Sequence, residues 1–148
     1  MTAIRDAAAG DLDAIVAFEI EIARISFGAE AVVDPEVHSR RVVKALDDEG
    51  EGTFVADGGA GAVGWLWVSA RTNFLTREEY GFLRSLAVAP SEVGTDLGER
   101  LLSAGVEWAR ARGAREVTGK VHVGNVAMRT VYRSAGFSPQ HLTMRLEL

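Results

Sequence analysis

Residues 90–98 carry the clearest chemical signal in the sequence, because they join an apolar, strand-like segment to a helix-like one and contain Gly94 and Gly98. The backbone N–H groups at the start of a helix have no partner inside the helix, and the helix dipole adds positive potential there. A junction of this kind attracts phosphate groups. The sequence therefore predicts an anion-binding turn.

Two side chains in this turn act against phosphate binding. Val93 offers neither a charge nor a hydrogen-bond donor, and Asp96 brings a Cβ atom and a negative charge to the start of the helix. The spacing of Asp96 and Glu99 also fits a helix N-cap with a capping-box partner, which is worth about 1 kcal/mol. We expect the Asp96 carboxylate to cap the helix and to compete with phosphate for the same N–H groups.

Hydrophobic periodicity predicts the elements that position this turn. Apolar residues recur at helical spacing after Asp11, which can cap that helix, and Asp34-Pro35-Glu36 is a start signal for a second helix. Two strand-like runs flank the glycine-rich segment 57–61, which predicts a hairpin.

The complete order of predicted elements is β-α-α-β-β-β-α-β-α-β. The strands are residues 3–5, 53–56, 62–70, 80–89, 115–123 and 142–148, and the later helices are residues 96–112 and 126–135. This order implies one α/β domain over residues 1–148, with a mixed central sheet flanked by helices.

Composition excludes several classes of site. A formal net charge of −5 leaves no general basic field for nucleic acid or an anionic membrane, and it suits a cationic acceptor better. The chain has no cysteine, and its three histidines are not spaced as metal ligands, so we predict no metal. The acidic N-terminal segment lacks the apolar core of a signal peptide, and no apolar run could span a bilayer. We expect a soluble cytoplasmic protein.

Four residues near the C-terminus have a characteristic spacing. Asn125, Tyr132, Gly136 and Phe137 stand at offsets of 0, +7, +11 and +12. Together with the Leu-Ala-Val of residues 86–88 before a proline, this pattern resembles the cofactor-binding half of the GNAT N-acetyltransferase superfamily. The predicted order of elements is similar to that family over essentially the whole chain.

The resemblance implies that the chain binds acetyl-CoA. The implied cofactor-binding residues are Leu86, Ala87, Val88, Val93, Gly94, Thr95, Asp96, Leu97, Gly98 and Asn125. In the family the turn carries Arg or Gln, then after two residues Gly, then after one residue Gly or Ala. The corresponding positions are Val93, Asp96 and Gly98, so we expect Val93 and Asp96 to weaken acetyl-CoA binding.

The resemblance also implies roles in catalysis. Residues 86–88 would pair with the pantetheine arm through their backbone, and one of their N–H groups would bind the thioester oxygen. Asn125 would hydrogen-bond the pantetheine arm, and Tyr132 would lie near the sulfur. A phenol of pKa about 10 is protonated at neutral pH, so it can give a proton to a thiolate of pKa about 8.5. A tyrosine packed in the core is the alternative interpretation.

The general base is open in the sequence. Some family members carry a glutamate at the position of Phe82. Glu78 and Glu79 lie slightly upstream and could deprotonate an amine directly or through water, although such a pair is more often a solvated loop. His122 is a further candidate, although a lone histidine in a strand is more often structural.

Three other side chains in predicted strands have two interpretations each. Arg84 is a candidate contact for substrate or phosphate, and a surface cation is the commoner interpretation. Trp65 and Trp67 share one strand face and could form an aromatic wall for the acceptor, but aromatic residues at this spacing usually pack in the core.

The function implied by the resemblance is an acetyl-CoA-dependent N-acetyltransferase. An amine acceptor, a small molecule or a peptide, would attack the thioester directly in a ternary complex. The alternative is a degenerate GNAT-like domain that binds CoA weakly or not at all and acts as a ligand-binding or interaction module, as Val93, Asp96 and Phe82 suggest. Many family members are dimers, so a homodimer is a further expectation.

Overall fold

A five-stranded mixed sheet with helices on both faces forms the centre of the fold in the computed structural model, which describes residues 2–148. The elements, in chain order, are β1 (Ala3–Asp6), α1 (Leu12–Phe27), α2 (Pro35–Leu46), β2 (Glu51–Asp57), β3 (Ala62–Thr72), β4 (Glu79–Val88), α3 (Leu97–Ala111), β5 (Val117–Gly119) and α4 (Val126–Ser134). The predicted fold class is therefore confirmed.

The strands follow one another across the sheet in the order β1-β2-β3-β4-β5. The first four are antiparallel neighbours, whereas β5 pairs with β4 in parallel. The predicted hairpin joins β2 to β3 through a turn in which Gly59 and Gly61 have φ angles of 93° and 122°. Both values lie in the left-handed region that glycine adopts without steric cost. A bulge shifts the β3–β4 register between Trp67 and Val68.

The two faces of the sheet bury separate hydrophobic clusters. One cluster joins α1 and α2 to the sheet through Ile15, Val42, Val55, Trp65 and Trp67. The other joins α3 to the sheet, and it includes Leu66, Val68, Leu83, Leu86, Leu97, Leu101 and Leu102. The period-2 alternation along β3 sends successive side chains to opposite faces, which is why one strand supplies both clusters.

The start of α2 agrees with the prediction and the start of α1 does not. The Glu36 N–H donates to Asp34 Oδ1 at 3.0 Å, and Pro35 is the first residue of α2. Asp11 occupies the N-cap position of α1, but its side chain makes no capping hydrogen bond there. Its carboxylate instead accepts from the Ala8 N–H at 2.9 Å and from two nitrogens of Arg5 at 2.8 and 2.9 Å. Asp11 therefore ties α1 to β1.

The C-terminal part of the sheet is shorter than predicted. The strand expected over residues 115–123 is reduced to β5, and the strand expected over residues 142–148 is wrong, because residues 138–148 have no regular secondary structure. Four apolar side chains of this segment are more than 80% exposed: Leu142, Met144, Leu146 and Leu148. With only three residues, β5 offers a short edge, and the segment does not pair with it.

No helix within residues 2–148 is both long and apolar enough to cross a membrane.

Candidate functional site

The strands β4 and β5 are paired over only three residues. The parallel register joins Gly81, Phe82 and Leu83 to Val117, Thr118 and Gly119. Beyond Leu83, β4 continues to Val88 with no strand neighbour on that edge. A strand edge without a neighbour presents backbone N–H and C=O groups that can pair with a ligand. The backbone of residues 84–88 is therefore open to a ligand along one edge.

The side chains of residues 86–88 serve the core. Leu86 is 7% exposed and belongs to the cluster under α3, and Val88 packs against the same cluster. Ala87 lies opposite Trp65 in the β3–β4 register. Any ligand contact made by these three residues on the open edge would therefore use the backbone.

The turn before α3 leaves its apolar side chain in solvent. Val93 is 60% exposed, and Gly94 has a φ angle of 87°, a left-handed conformation that favours glycine. The Thr95 hydroxyl donates to the Glu92 carbonyl at 2.7 Å and accepts from the Leu97 N–H at 3.3 Å. Thr95, rather than Asp96, thus takes up one of the free N–H groups of the helix.

The capping role predicted for Asp96 is wrong. Asp96 is the N-cap residue of α3, but its side chain makes no capping hydrogen bond, and its φ and ψ of −81° and 4° lie outside the extended region that a capping residue usually adopts. The N–H groups of Gly98 and Glu99 have no hydrogen-bond partner within residues 2–148. The first turn of α3 therefore keeps donors for an anion, while the Asp96 charge remains close to them.

Gly98 allows two helices to pack closely. A Cβ atom at this position would lie 3.0 Å from Cγ1 of Val131 on α4. The contact is tighter than side chains normally allow, so glycine at this position lets α4 lie close against the start of α3. The helix that carries Tyr132 and the helix that follows the turn are held together by this contact.

Tyr132 lies where β4 and β5 separate. A Cβ atom on Gly119, the last paired residue of β5, would be 2.9 Å from the Tyr132 hydroxyl. The ring packs edge-on against Phe137, with 5.1 Å between ring centroids, and burial raises the pKa of the Tyr132 phenol to about 12. Its hydroxyl has no hydrogen-bond partner in the described part of the chain. The ring is a core side chain, but its polar end is left for another group.

Asn125 has a structural role that leaves part of its side chain free. It is the N-cap of α4, and its Oδ1 accepts from the Met128 N–H at 3.2 Å. Within residues 2–148, its amide nitrogen donates no hydrogen bond. The amide NH₂ group can therefore donate to a ligand while the oxygen caps the helix.

The residues predicted as bases are not brought to this point. Glu78 is exposed, and its Oε1 pairs with Arg115 at 2.7 Å. Glu79 is the exposed first residue of β4, four residues before Leu83, which at about 3.3 Å a residue is roughly 13 Å along the strand. The exposed His122 accepts from the Gly124 N–H at 3.0 Å through Nδ1. The structure thus gathers the predicted cofactor-binding residues and Tyr132, but not Glu78 and Glu79.

The opposite face of the sheet carries a polar cluster that sequence reasoning missed. The buried Glu19 carboxylate on α1 accepts from the Trp65 indole N–H at 3.2 Å. Glu51 accepts from the Trp67 indole at 3.1 Å and from the Ser69 hydroxyl. Burying carboxylates is costly unless they are hydrogen-bonded, and these donors satisfy that requirement. One signal could have pointed to Glu19, since it stands four residues after Ile15 on the buried face of α1.

Arg84 lies at this cluster and not on the open surface. Its side chain is 28% exposed, its guanidinium carbon is 4.2 Å from the Trp67 ring centroid, and Nη1 is 3.8 Å from Glu51 Oε1. Trp65 and Trp67 are almost fully buried, as core packing predicts. Arg84 is the first residue of β4 beyond the part paired with β5, so this cluster adjoins the open edge from the other face.

Solved structures with the same fold include acetyltransferases. A transcriptional regulator from Bacillus halodurans C-125 has a TM-score of 0.82 at 21% identity, with 100% of both chains covered. The aminoglycoside N-acetyltransferase AAC(6')-Iy, bound to the bisubstrate analogue CoA-S-monomethyl-acetylneamine, has a TM-score of 0.81 at 17% identity, covering 100% of this chain and 98% of that one.

A third structure, the aminoglycoside 6'-N-acetyltransferase AAC(6')-Ih from Acinetobacter baumannii, has a TM-score of 0.79 at 14% identity, with 100% and 98% of the chains covered. At these identities the likeness is one of fold. No curated protein sequence matches the chain significantly.

A family model matches most of the sequence. The model describes the acetyltransferase (GNAT) family, and it covers residues 19–137. That range runs from Glu19 on α1 to Phe137 after α4, so it contains the open edge of β4, the turn before α3 and Tyr132. The chain belongs to the GNAT acetyltransferase family.

Proposed function

We propose that this chain is an acetyl-CoA-dependent N-acetyltransferase that transfers the acetyl group directly to an amine in a ternary complex. The observation that carries the proposal is the position of the Tyr132 hydroxyl, which lies against Gly119 where β4 loses its strand neighbour. A free phenol beside an open strand edge is suited to a thioester held by that edge. The structural neighbour AAC(6')-Iy is known in complexes with CoA and with a bisubstrate CoA analogue.

The chain offers polar groups to each part of acetyl-CoA. The open backbone of residues 84–88 would pair with the pantetheine arm, and the Asn125 amide would add a hydrogen bond. The free N–H groups of Gly98 and Glu99 would receive the pyrophosphate, assisted by the dipole of α3. Acetyl-CoA itself supplies the activated thioester, and the protein positions it.

Tyr132 would stabilise the departing sulfur. A phenol of pKa about 12 is protonated throughout the neutral range, so its hydroxyl can donate a hydrogen bond to the developing thiolate. Because a thiol has a pKa near 8.5, complete transfer of the phenolic proton would be uphill, and solvent would supply the proton to the released CoA. A backbone N–H of the open edge would steady the negative charge on the thioester oxygen.

A carboxylate would act as the general base. Glu78 and Glu79 are the candidates from the sequence, and the structure adds Glu51, whose Oε1 faces Arg84 on β4. The two sets are separable, because Glu51→Gln should lower kcat strongly, with the KM for acetyl-CoA unchanged, if Glu51 removes the proton. The corresponding change in Glu79→Gln would assign the role to the far end of β4.

One set of observations favours the alternative, a domain that has lost transferase activity. Val93 places an exposed apolar side chain where the family has a phosphate-binding one, and Asp96 adds a negative charge nearby. The donors of Gly98 and Glu99 are nevertheless free of the Asp96 side chain. We therefore propose weakened binding of acetyl-CoA, with transfer retained.

The absence of cysteine makes the test simple. A thiol reagent added to the reaction detects only released CoA, because the chain contributes no thiol of its own. The proposal predicts thiol release that depends on both acetyl-CoA and an amine, with one acetylated amine formed for each thiol. A broad panel of amines without turnover, together with no change in melting temperature at millimolar acetyl-CoA, would contradict it.

A homodimer is a further part of the proposal. The exposed side chains of Leu142, Met144, Leu146 and Leu148 form an alternating apolar row that a second copy of the chain could cover. Sedimentation of the full chain and of a chain ending at residue 141 tests this point. We expect a dimer for the first and a monomer for the second, and equal masses would contradict it.

A further inference from the structure

Three arginines from three elements converge on two neighbouring aromatic rings. The guanidinium carbons of Arg41 on α2 and Arg84 on β4 lie 5.4 and 4.2 Å from the centroid of the same ring, that of Trp67. The guanidinium carbon of Arg71 near the end of β3 lies 4.0 Å from the centroid of Phe82. The convergence lies on the α1/α2 face of the sheet, beside the open edge of β4.

These guanidinium groups lack protein acceptors. Among residues 2–148, none of the three donates a hydrogen bond to a protein atom, although Arg84 is more than two-thirds buried. The nearest carboxylate contact is Glu51, 3.8 Å from Arg84, and Arg41 and Arg71 have no carboxylate oxygen within 4.0 Å. Glu51 already accepts hydrogen bonds from Trp67 and Ser69 through its other oxygen.

Arg41 and Arg71 lie close enough to Arg84 for their charges to act on it. Burial, and next the charge of Arg41, lowers the pKa of Arg84, and the charge of Arg71 acts in the same direction against Glu51 and Glu19. Stacking on aromatic rings alone accounts for one arginine at each ring but gives no reason for two to share Trp67. A guanidinium fork is the donor arrangement that binds carboxylate and phosphate groups in bidentate fashion.

We propose that Arg41, Arg71 and Arg84 hold an anionic group, a carboxylate or a phosphate, that the amine acceptor itself carries. This inference rests on the proposed transferase function, because it defines the acceptor of that reaction. The acceptor would be an amine with an attached anion, such as an amino acid, and not a polycation such as an aminoglycoside. It also adds an anionic group to the acceptor that the net charge of −5 favoured, which was described only as cationic.

The position of Arg84 in the fold explains how a bound anion would select the acceptor. Arg84 is the first β4 residue beyond the paired segment, and the proposed thioester site occupies the same stretch of strand from the other face. An anion bound to Arg84 would hold the acceptor beside that site. The amine at the other end of the acceptor would then lie close to the thioester. Glu19 and Glu51, also on this face, could then attract the cationic amine.

The experiment uses amines matched in all but the anion. Acetyl transfer is measured with phenylalanine against 2-phenylethylamine for the carboxylate, with O-phosphoethanolamine against ethanolamine for the phosphate, and with kanamycin as the polycation. We expect kcat/KM to be about tenfold or more higher for the anionic member of at least one pair, and kanamycin to be a poor substrate. Equal rates within both pairs, or a preference for kanamycin, would overturn the proposal.

Variants assign the selectivity to the arginines. Arg84→Gln and Arg41→Gln should raise KM for the anionic amine about tenfold and leave the KM for the matched neutral amine unchanged. Arg84→Lys keeps the charge without the fork and should recover only part of the loss. Arg40→Gln is the matched control on α2, because Arg40 is exposed and pairs with Glu36. Unchanged selectivity in Arg84→Gln and Arg41→Gln would contradict the assignment.

Calorimetry separates this inference from the proposed function. Acetyl-CoA and each amine are titrated separately into the wild-type chain and into Arg84→Gln. If acetyl-CoA binds but no anionic amine binds better than its neutral partner, the anion site is refuted and transfer to other amines remains. Where acetyl-CoA does not bind but an anionic amine does, and Arg84→Gln removes that binding, the anion site stands without the transferase.

Discussion

The two faces of the sheet beside β4 offer different parts of the chain for recognition. On the α3/α4 face the available groups are mainly backbone: the open edge of residues 84–88 and the N–H groups of Gly98 and Glu99. The α1/α2 face instead presents side chains, Arg84 and Glu51 among them, from the five elements α1, α2, β2, β3 and β4. Backbone recognition depends on the fold, whereas side-chain recognition depends on individual residues.

The difference changes the meaning of the unusual turn before α3. Valine at position 93, where the family has Arg or Gln, removes one side-chain contact to phosphate. The backbone N–H donors at the start of α3 stay where the fold places them. On the α1/α2 face, a substitution of an arginine removes its hydrogen-bond donors completely, because no backbone group replaces the guanidinium. We therefore expect changes on the α3/α4 face to alter cosubstrate affinity or the chemical step, and changes on the α1/α2 face to alter acceptor choice.

The largest expected effect tests the side chain that acts on the α3/α4 face. Tyr132→Phe should lower kcat about 100-fold, because the developing thiolate loses its hydrogen-bond donor. The KM for acetyl-CoA should change less than threefold, and the melting temperature should stay within a few degrees, since the hydroxyl has no protein partner in the described residues. Steady-state kinetics and thermal melting are the measurements. A normal kcat would show that Tyr132 is only a core residue.

The variant Asp11→Asn tests whether the attachment of α1 to β1 can be weakened without a change in the affinity for acetyl-CoA. The Arg5 guanidinium, which hydrogen-bonds to Asp11, holds the pKa of this carboxyl below its usual value. Asp11→Asn should lower the free energy of unfolding at pH 7 by about 2 kcal/mol, as for a lost charged hydrogen bond. Denaturant titrations measure this, and affinity for acetyl-CoA should not change.

The pH dependence of that stabilisation has a fixed sign. A lowered folded-state pKa means that the stabilisation is present above the unfolded-state value of about 3.9 and is lost as pH falls through the folded value. The difference between wild type and Asp11→Asn should therefore shrink below about pH 4. The exposed Asp13 serves as control through Asp13→Asn, which should be neutral. A difference that persists in acid would contradict the ion-pair explanation.

The smallest expected effect concerns Val93 and Asp96, the two residues of the turn before α3 that differ from the family pattern. Val93→Arg combined with Asp96→Gly restores a cation and removes a charge at the start of α3, so the Kd for acetyl-CoA should fall about tenfold. Stability should change little, because Asp96 makes no capping bond. Glu107→Gln, near the other end of α3, is the control and should leave the Kd unchanged. An unaltered Kd in the double variant would mean that the turn does not limit binding.

Local signals in the sequence predicted most of the fold. Asp34-Pro35-Glu36 predicted the start of α2, and the glycines of residues 57–61 predicted the hairpin, because caps and turns depend on neighbouring residues. The closing strand at residues 142–148 failed for a reason that is not local. Alternating apolar residues favour an extended segment, but a strand also needs a partner, and β5 is too short to be one.

Spacing in the sequence predicted the neighbourhood of the proposed cofactor-binding residues, whereas it did not predict the proposed acceptor side. Tyr132 and Asn125 are seven residues apart on one helix, so their spacing is visible in the sequence. The packing of α2, β3 and β4 brings together Arg41, Trp67 and Arg84. These residues are far apart in the sequence, so no spacing predicts their contact. The prediction for Asp96 failed because its backbone does not adopt the extended conformation in which an N-cap side chain reaches the N–H groups of the first turn.

Calorimetric titration of acetyl-CoA into the wild-type chain tests the central claim most directly. The account predicts saturable binding of one acetyl-CoA per chain, with a Kd in the micromolar to low millimolar range, and stabilisation by RT ln(1 + [L]/Kd) in a parallel melting experiment. The absence of both signals at millimolar acetyl-CoA would contradict the transferase and leave a GNAT domain with a different ligand.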